Sequence, residues 1–450
     1  MTFSARTRWI CALICASSLL PGALRADLWR TAYYPGYATA RLPVSEIDFT
    51  ALTHIVHFSL EPNGDGTLNP YPNSITPQAT ADIVAAAHAA NRKALICVGG
   101  GGSYFPDAVS AGNIAHFVSN LTNFMASGGY DGIDVDWEPL LDGDGALYTN
   151  LIVKLRAALD GFSTHKLLFS AVPPFASPAV IKSVQDKLEQ INLMTYDLSG
   201  PYPGWVTWYN SPIYDGGYTF PSATNELVPS IEGIVNQFVT SGISTAKLGI
   251  GLAFYGYVWR GGFDGTNSGM MAPRQSWTIA PTNYPSTYEQ IMSSNFPVNL
   301  FHYDSVAQAA WIGVDGTSTN DFFISFDDAR ACQSKVGYAR NRGLGGVIIW
   351  EITQDHKSDR PDPLLQAVKQ ALATPGALAI QPSGDDMGLS FPSAPLGSYR
   401  VQWTTNLTNN TWTSLMVTNV SSTATGGMLQ VTDPGSANKP RRFYRVRTPP

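Results

Sequence analysis

The chain has 450 residues, a formal net charge of -6 at pH 7, and charged side chains at only 14% of its positions. This mildly acidic balance excludes the basic footprint of nucleic-acid binding, and no polybasic stretch indicates a membrane surface. The length allows two or three domains and a core large enough to carry a costly polar site. We therefore expect a globular protein with no nucleic acid among its partners.

The first 26 residues have the layout of a secretory signal peptide. Arg6 and Arg8 precede an apolar run from Trp9 to Leu20, and small residues follow up to Ala26. The run is short for a bilayer-spanning helix, so the mature protein is expected to have no membrane span. The sequence thus predicts a secreted protein, extracellular or periplasmic, with a retained N-terminal anchor as the alternative.

Two of the four cysteines, Cys11 and Cys15, leave with this signal peptide. Cys97 and Cys332 remain, far apart in the sequence and each in apolar surroundings. So few thiols indicate that stability comes from packing, and a bridge between Cys97 and Cys332 is left open.

Short apolar runs alternate with helix-like stretches from residue 27 to residue 372. Eight of these runs have the length and composition of buried strands. They are TAYY (31–34), HIVHFS (54–59), ALICVGG (94–100), GIDVDWE (132–138), LLFSAVP (167–173), INLMTYD (191–197), LGIGLAFYG (248–256) and GGVIIWEI (345–352). This α/β alternation predicts a closed parallel (β/α)8 TIM barrel in preference to a doubly wound sheet.

About 90 residues, 257–344, separate the last two runs, which is far more than one helix needs. A structureless loop of this length is unusual in a compact domain. We therefore predict an α+β insertion between strands 7 and 8. The segments TYEQIMSS, FHYDSVAQAAWIG and DFFISFD within it predict a helix and short strands.

After residue 372 a Pro/Gly break is followed by a different composition. Residues 377–450 are rich in Thr, Ser and Asn, with alternating segments such as YRVQWTTNL and RRFYRVRT and a turn signal, DPGSAN. These features predict a small C-terminal all-β module, sandwich-like. Its candidate roles are polysaccharide binding, attachment to a cell surface, and plain stabilisation. Trp403 and Trp412 are either stacking platforms for sugars or core residues of the sheet.

The stretch YDGIDVDWEP concentrates acidic residues in an otherwise apolar setting. Along a strand alternate side chains share a face, so Asp134, Asp136 and Glu138 should point into the barrel. Three carboxylates spaced by about 6.6 Å at low dielectric cannot all ionise, which raises at least one pKa. Glu138 lies at the carboxyl end of its strand, where barrel active sites form. A protonated Glu138 is suited to act as general acid in glycoside cleavage, whereas a calcium loop fits the alternation poorly.

Residues 131–138 match the D-G-x-D-x-D-x-E signature, and the chain resembles glycoside hydrolase family 18, the chitinase-like family. INLMTYD is similar to the family's sixth strand with its M-x-Y-D motif, KLGIGLAFYG to the seventh, and GLGGVIIWEITQD to the eighth. The resemblance covers most of residues 30–370, and the insertion resembles that of a large subgroup. It implies a hydrolase of β-1,4-linked N-acetylglucosamine chains, with chitin or another N-acetylglucosamine-containing glycan as partner.

The resemblance also implies a substrate-assisted retaining mechanism. Glu138 would protonate the glycosidic oxygen, and the 2-acetamido carbonyl of the substrate would attack the anomeric carbon. Asp136 would orient the acetamido N–H, and Asp134 beneath it would share its proton.

Further side chains are implied to bind or support the sugar: Tyr196 and Asp197 at the acetamido group, Trp350 as the floor, Tyr33 below the acids, Tyr255 facing the substrate, Tyr202 along the cleft, and Met194 of the M-x-Y-D motif. Core packing is the alternative for Tyr196, Trp350, Tyr33 and Tyr255, and a loop cap for Asp197. No cofactor is predicted. His54 and His57 read as core residues, and no His/Cys/Asp cluster has the spacing of metal ligands.

The match departs from the family pattern at several positions. Cys97 stands where a serine normally supports the first aspartate, and a thiol is a weaker donor. Gly101 removes an aromatic platform, for which Tyr104 or Phe105 is the candidate replacement. Tyr257 occupies the position of a common arginine. These changes concern mainly the leaving-group side of the cleft, so the substrate range is the least determined feature.

Two further functions remain as alternatives. One is an endo-β-N-acetylglucosaminidase that acts on N-glycans or on peptidoglycan. The other is a non-catalytic chitin-binding lectin on the same fold, against which the intact Glu138 argues.

Overall fold

The computed structural model describes residues 28–266, 269–316, 321–356, 362–372, 379–393, 398–406, 411–415, 420–421, 427–436 and 442–447. The predicted signal peptide lies outside these residues. Among the described residues, no helix has both the length and the apolar composition needed to cross a bilayer.

Eight parallel strands form a closed barrel. They are β1 (Trp29–Pro35), β2 (His54–Pro62), β3 (Lys93–Gly101), β4 (Gly132–Glu138), β5 (Leu167–Val172), β6 (Gln190–Leu193), β7 (Leu248–Ala253) and β8 (Gly346–Trp350). Each strand pairs with its neighbour in sequence, and β1 pairs with both β8 and β2, which closes the sheet on itself. The predicted (β/α)8 TIM barrel is therefore confirmed.

Two of the strands are shorter than the sequence pattern indicates. The sixth ends at Leu193, so Tyr196 and Asp197 lie on the loop at its carboxyl end. The seventh ends at Ala253, and a strand of another sheet begins at Tyr255. An apolar run alone does not show where a strand leaves its sheet, because Tyr196 and Tyr255, just beyond the two strand ends, are still buried.

All the helices except α6 follow barrel strands or return the chain to them, and several begin at recognisable sequence signals. They are α1 (Pro77–Ala89), α2 (Ile114–Ser127), α3 (Gly145–Leu159), α4 (Pro178–Val184), α5 (Ile231–Thr240), α6 (Tyr288–Ser293), α7 (Ala329–Arg342) and α8 (Pro363–Leu372). The Thr76 hydroxyl caps α1 and Pro77 occupies its first turn, where a missing N–H costs nothing. Gly343 ends α7 in the left-handed conformation that glycine adopts without strain.

The inserted subdomain is a five-stranded antiparallel sheet with helix α6. Its strands are Tyr255–Arg260, Thr282–Thr287, Phe301–Asp304, Ala309–Val314 and Phe322–Phe326. The predicted range of 257–344 is too long at its end, because α7 packs on β7 and β8 and thus belongs to the barrel. The range also starts two residues late, since Tyr255 already pairs with Thr287 in this sheet.

The described part of the C-terminal segment contains two antiparallel sheets. One has strands Ala379–Ser383, Asp386–Ser393 and Gly427–Asp433; the other has Ser398–Thr404, Thr413–Ser414, Val420–Ser421 and Phe443–Arg447. Leu389, Phe391 and Val431 of the first sheet share a small core with Val401 of the second, as in a sandwich. This all-β architecture agrees with the prediction.

In the described part of this module, neither Trp403 nor Trp412 belongs to the small core. The Arg442 guanidinium lies 3.8 Å from the Trp403 ring centre, and that of Arg445 lies 4.1 Å from Trp412. Each indole therefore has an arginine stacked on one face.

The barrel wall separates two apolar environments. Ile133, Val135 and Trp137 of β4 point outward into the large core beneath the helices. The alternate side chains of the strands point inward and form a second cluster, rich in aromatic rings, whose members include Tyr33 and Phe58. Cys97 and Cys332 are buried on different elements and both are free thiols. The inner cluster surrounds the acidic row and positions the site.

Candidate active site

The acidic row lies inside the barrel, as the strand alternation predicts. Asp134 and Asp136 are buried, and Glu138 is partly exposed at the carboxyl end of β4. In the neighbouring strand Gly99 pairs with Asp136 and has φ +113°. A Cβ at Gly99 would lie only 1.9 Å from the Asp136 carbonyl oxygen, so any larger residue would displace the acidic strand.

Asp134 is the deepest of the three acids. The Tyr33 hydroxyl donates a hydrogen bond to its Oδ2 at 3.1 Å, and the Cys97 thiol also donates to it. Burial raises the pKa of Asp134 to about 7, although these two donors act in the opposite direction. The thiol therefore occupies the supporting position that the family pattern gives to serine.

Asp136 and Glu138 are joined by a hydrogen bond between their carboxyl groups. Burial, followed by the charges of Glu138 and Asp134, raises the pKa of Asp136 well above its usual range. Burial and the charge of Asp197 raise the pKa of Glu138, whereas the hydrogen bond from Asp136 lowers it. The row therefore shares protons, with Asp136 as the donor within the pair and Glu138 at the opening.

Asp197 adds a fourth carboxyl group beside the acidic row. Its backbone is left-handed, with φ 57°, and its N–H donates to the Asn210 Oδ1 at 2.8 Å. The Tyr255 hydroxyl donates to its Oδ1 at 2.5 Å, and the Tyr257 hydroxyl donates to the same carboxylate. Burial raises the pKa of Asp197 against the effect of these two donors.

An aromatic surface completes the interior. Tyr196 is buried, and its ring meets that of Tyr255 edge-to-face at 6.1 Å. A Cβ at Gly251 would lie 2.6 Å from the Tyr196 ring, so glycine leaves the space that this ring occupies.

Trp350 ends β8 and packs edge-to-face on Phe58 at 4.7 Å. Its ring centre lies 5.6 Å from that of Tyr33. Met194 is buried in the same cluster.

Exposed aromatic side chains surround the opening of the barrel. They lie on loops that follow the carboxyl ends of five strands: Tyr37, Tyr71, Tyr104, Phe175 and Tyr202. Tyr202 is 57% exposed and Tyr104 61% exposed. Phe105 is fully buried and stacks on Trp137 at 4.5 Å, so Tyr104 is the aromatic residue of that loop that can contact a ligand.

The sequence pattern alone missed two side chains at Asp197. Tyr257 stands out in the sequence only as a departure from the family, and its hydroxyl contact with Asp197 depends on how the inserted sheet is placed. Asn210 gives no local signal, because its partner lies 13 residues away.

The two strand histidines are packing residues. Burial lowers the pKa of both His54 and His57 to about 4. His57 Nδ1 lies 2.7 Å from the Tyr130 hydroxyl, on the outer side of the barrel wall. Within the described ranges, no group of three His, Cys, Asp or Glu side chains has the arrangement of a metal site.

A sequence profile described as "Glycosyl hydrolases family 18" matches residues 30–355, well over half of the chain. The chain belongs to glycosyl hydrolase family 18. The resemblance inferred from the acidic strand and its neighbours is thereby confirmed.

Curated relatives of this family 18 protein agree. Endochitinase 1 of Metarhizium robertsii is 26% identical over 386 residues, which cover 76% of this chain and 83% of the relative. Chitinase A1 of Niallia circulans is 26% identical over 313 residues, 64% of this chain and 44% of the relative. The protein is a glycoside hydrolase.

Solved structures share the fold. A group IV chitinase of Ostrinia furnacalis in complex with allosamidin superimposes with a TM-score of 0.65 at 21% identity, over 77% of this chain and 99% of that chain. Human YKL-39, described as a pseudo-chitinase with retained chitooligosaccharide binding properties, has a TM-score of 0.64 at 19% identity, over 77% and 100% of the two chains.

Asp134 makes the stability of the fold depend on pH in a direction that follows from its pKa. This pKa is about 7 in the folded chain and about 4 in an unfolded one, so the folded state holds the extra proton between these values. The contribution of this proton to the free energy of unfolding is complete below about pH 4. It is lost as the pH rises through about 7, by at most about 1.4 kcal/mol per pH unit. Asp134→Asn cannot ionise and should lack this loss.

Urea unfolding near pH 5 and near pH 8 measures the effect. We expect the free energy of unfolding of Asp134→Asn, relative to wild type, to be higher at the upper pH. The control variant is Asp82→Asn, which changes an exposed aspartate on α1. Its free energy of unfolding relative to wild type should be the same at both pH values. Equal behaviour of the two variants would show that Asp134 does not carry the pH dependence.

Proposed function

We propose that this family 18 hydrolase cleaves β-1,4-linked N-acetylglucosamine chains, chitin or chitooligosaccharides, by a substrate-assisted retaining mechanism. The observation that carries the proposal is the proton-sharing row. A buried Asp136 hydrogen-bonds to Glu138 at the opening of the barrel, and Asp134 lies below it with its own pKa raised to about 7. Such a row keeps a proton available for transfer near neutral pH.

In the first step the Glu138 carboxyl gives its proton to the glycosidic oxygen. The acetamido carbonyl oxygen of the sugar forms a bond to the anomeric carbon as the bond from that carbon to the leaving oxygen breaks. The products are the departing alcohol and an oxazolinium ion. The row holds two protons before this step, one on Glu138 and one on Asp136. The Asp136 proton moves to the Asp134 carboxylate, and the Asp136 carboxylate then accepts a hydrogen bond from the acetamido N–H.

In the second step the Glu138 carboxylate takes a proton from water, whose oxygen attacks the anomeric carbon. The oxazolinium ring opens, the acetamido group re-forms, and the configuration is retained after two inversions. Tyr196 and Asp197 are assigned to the acetamido group, Tyr255 and Tyr33 to holding the acids, and Trp350 with Met194 to the floor below the sugar.

Three observations support the substrate class. Curated relatives are named chitinases. One solved structure with this fold, a class V chitinase mutant of Nicotiana tobaccum, is described in complex with NAG4. Exposed aromatic side chains such as Tyr104 and Tyr202 lie on the loops around the opening, where sugar rings can stack on them.

One structural neighbour is described as a pseudo-chitinase, and for this reason a lectin is the second candidate function. The presence of Glu138, hydrogen-bonded to Asp136, favours catalysis over binding alone. We also propose that the protein is exported through residues 1–26 and that residues 377–450 form an accessory module that contacts polysaccharide or a cell surface.

Product analysis tests the proposal. Wild-type protein is incubated with chitooligosaccharides, an N-glycan and peptidoglycan, and the anomeric form of fresh products is followed by NMR. We expect short N-acetylglucosamine oligomers with the β configuration from the first substrate and little product from the others. Release of the opposite anomer would contradict the mechanism, and binding without products would favour the lectin.

A further inference from the structure

A buried polar segment, Asn210–Ser211, lies against the loop that carries Asp197. The Asn210 side-chain oxygen accepts from the Asp197 N–H at 2.8 Å, and its backbone oxygen accepts from the Leu198 N–H at 3.1 Å. The Ser211 hydroxyl donates to the Thr195 carbonyl at 2.5 Å. Three hydrogen bonds thus fix the loop between Thr195 and Leu198.

The segment Asn210–Ser211 is itself hydrogen-bonded to two other elements. The Asn210 N–H donates to the Ser325 hydroxyl at 2.7 Å, on the last strand of the inserted sheet. The Lys335 ammonium on α7 donates to the Ser211 hydroxyl at 2.6 Å and forms a fully buried ion pair with Asp327. The segment is therefore hydrogen-bonded both to the inserted sheet and to a lysine whose charge is buried.

The Asn210 amide contributes through its oxygen. Its Nδ2 is buried and, among the described residues, has no hydrogen-bond partner, which is a cost for a buried donor. The compensating contact is with the Asp197 N–H, whose residue adopts the left-handed backbone that a non-glycine residue populates only with support.

We propose that Asn210 is a positioning residue that holds Asp197 in its left-handed conformation and so keeps the Asp197 carboxylate beside Glu138. The inference deepens the proposed function and rests on it. Asn210 itself contacts neither reacting carboxyl group directly; it acts through the Asp197 backbone.

The charge of Asp197 gives this role a measurable signature. Among the described residues, the titratable groups that interact with Glu138 are Asp136, Asp197, Tyr196 and Cys97, and those that interact with Asp197 are Glu138, Tyr255, Tyr257 and Tyr196. Asp197 raises the pKa of Glu138, so Asp197 moving away lowers that pKa. Because Glu138 must be protonated to act as an acid, the alkaline limb of the rate profile then moves to lower pH.

The experiment compares wild type, Asn210→Ala, Asn210→Asp, Tyr130→Phe and Glu138→Gln on a soluble chitooligosaccharide. Tyr130→Phe removes a buried hydroxyl that contacts His57 and Thr80 outside the barrel interior, and it controls for general loss of buried hydrogen bonds. Each variant is checked for its thermal unfolding midpoint before kcat, KM and the pH profile are measured.

We expect Asn210→Ala to lower kcat by roughly tenfold to a hundredfold with a much smaller change in KM, since a misplaced group mainly affects the transition state. Its alkaline limb should move to lower pH. Asn210→Asp keeps an oxygen acceptor for the Asp197 N–H and should lie closer to wild type in kcat than Asn210→Ala.

Tyr130→Phe should keep both kcat and the pH profile. Asn210→Ala kinetics equal to those of Tyr130→Phe would overturn the inference while leaving the proposed function intact. Full turnover by Glu138→Gln would instead overturn the proposed function on which the inference rests.

Discussion

Replacing Glu138 by glutamine should abolish most of the turnover while leaving glycan binding in place. The amide has nearly the same shape as the acid but has no proton to give to the glycosidic oxygen. Loss of a general acid typically costs about 10²- to 10⁴-fold in rate. We expect kcat on a chitooligosaccharide to fall by at least about a thousandfold, with a dissociation constant within about threefold of wild type, because the aromatic floor is unchanged.

The comparison needs a matched change from glutamate to glutamine. Glu289 lies on helix α6 of the inserted subdomain, where it accepts a hydrogen bond from Ser293, and Glu289→Gln should keep wild-type kcat. Binding is measured by titration calorimetry and turnover by product chromatography. Wild-type turnover in Glu138→Gln would assign the acid to another group and remove the central element of the mechanism.

Among these variants, Lys335→Met should show the largest decrease in the free energy of unfolding. Lys335 and Asp327 form an ion pair that is almost completely shielded from water, and the ammonium also donates to the Ser211 hydroxyl. Removal of one partner leaves a buried carboxyl group uncompensated, which typically costs about 3–5 kcal/mol. Burial already raises the pKa of Asp327, and loss of the lysine charge would raise it further.

Urea unfolding at neutral pH, followed by tryptophan fluorescence, measures this loss. The double variant Lys335→Met/Asp327→Leu should recover much of it, because apolar residues of similar volume often replace a buried pair at little cost. Lys369→Met removes a half-exposed lysine paired with Asp48 and should cost less than about 1 kcal/mol. Equal losses for Lys335→Met and Lys369→Met would contradict a special role for the buried pair.

Local periodicity was enough to predict the barrel and the acidic row. Each strand needs only a short apolar run, and the alternation of Asp134, Asp136 and Glu138 with apolar neighbours fixes which face they occupy. The position of Glu138 in the row follows from the direction of its strand, because the carboxyl ends of all strands meet at one face.

The surroundings of Asp197 could not be predicted in this way. Tyr257 and Asn210 reach it from an inserted sheet and from a loop, so their contacts depend on how distant segments pack. The end of the insertion was predicted too late for a related reason. Helix α7 has the composition of a helix in either subdomain, and only its packing on β7 and β8 assigns it to the barrel.

The inserted sheet begins only one residue, Phe254, after a barrel strand ends. Its first strand supplies Tyr255 and Tyr257, the two phenols that hydrogen-bond to Asp197. The first strand of the inserted sheet therefore both continues the chain from the barrel and contacts Asp197. Excision of the inserted sheet would therefore also remove two of the groups that hold Asp197, so this subdomain cannot be removed without changing the surroundings of the acidic row.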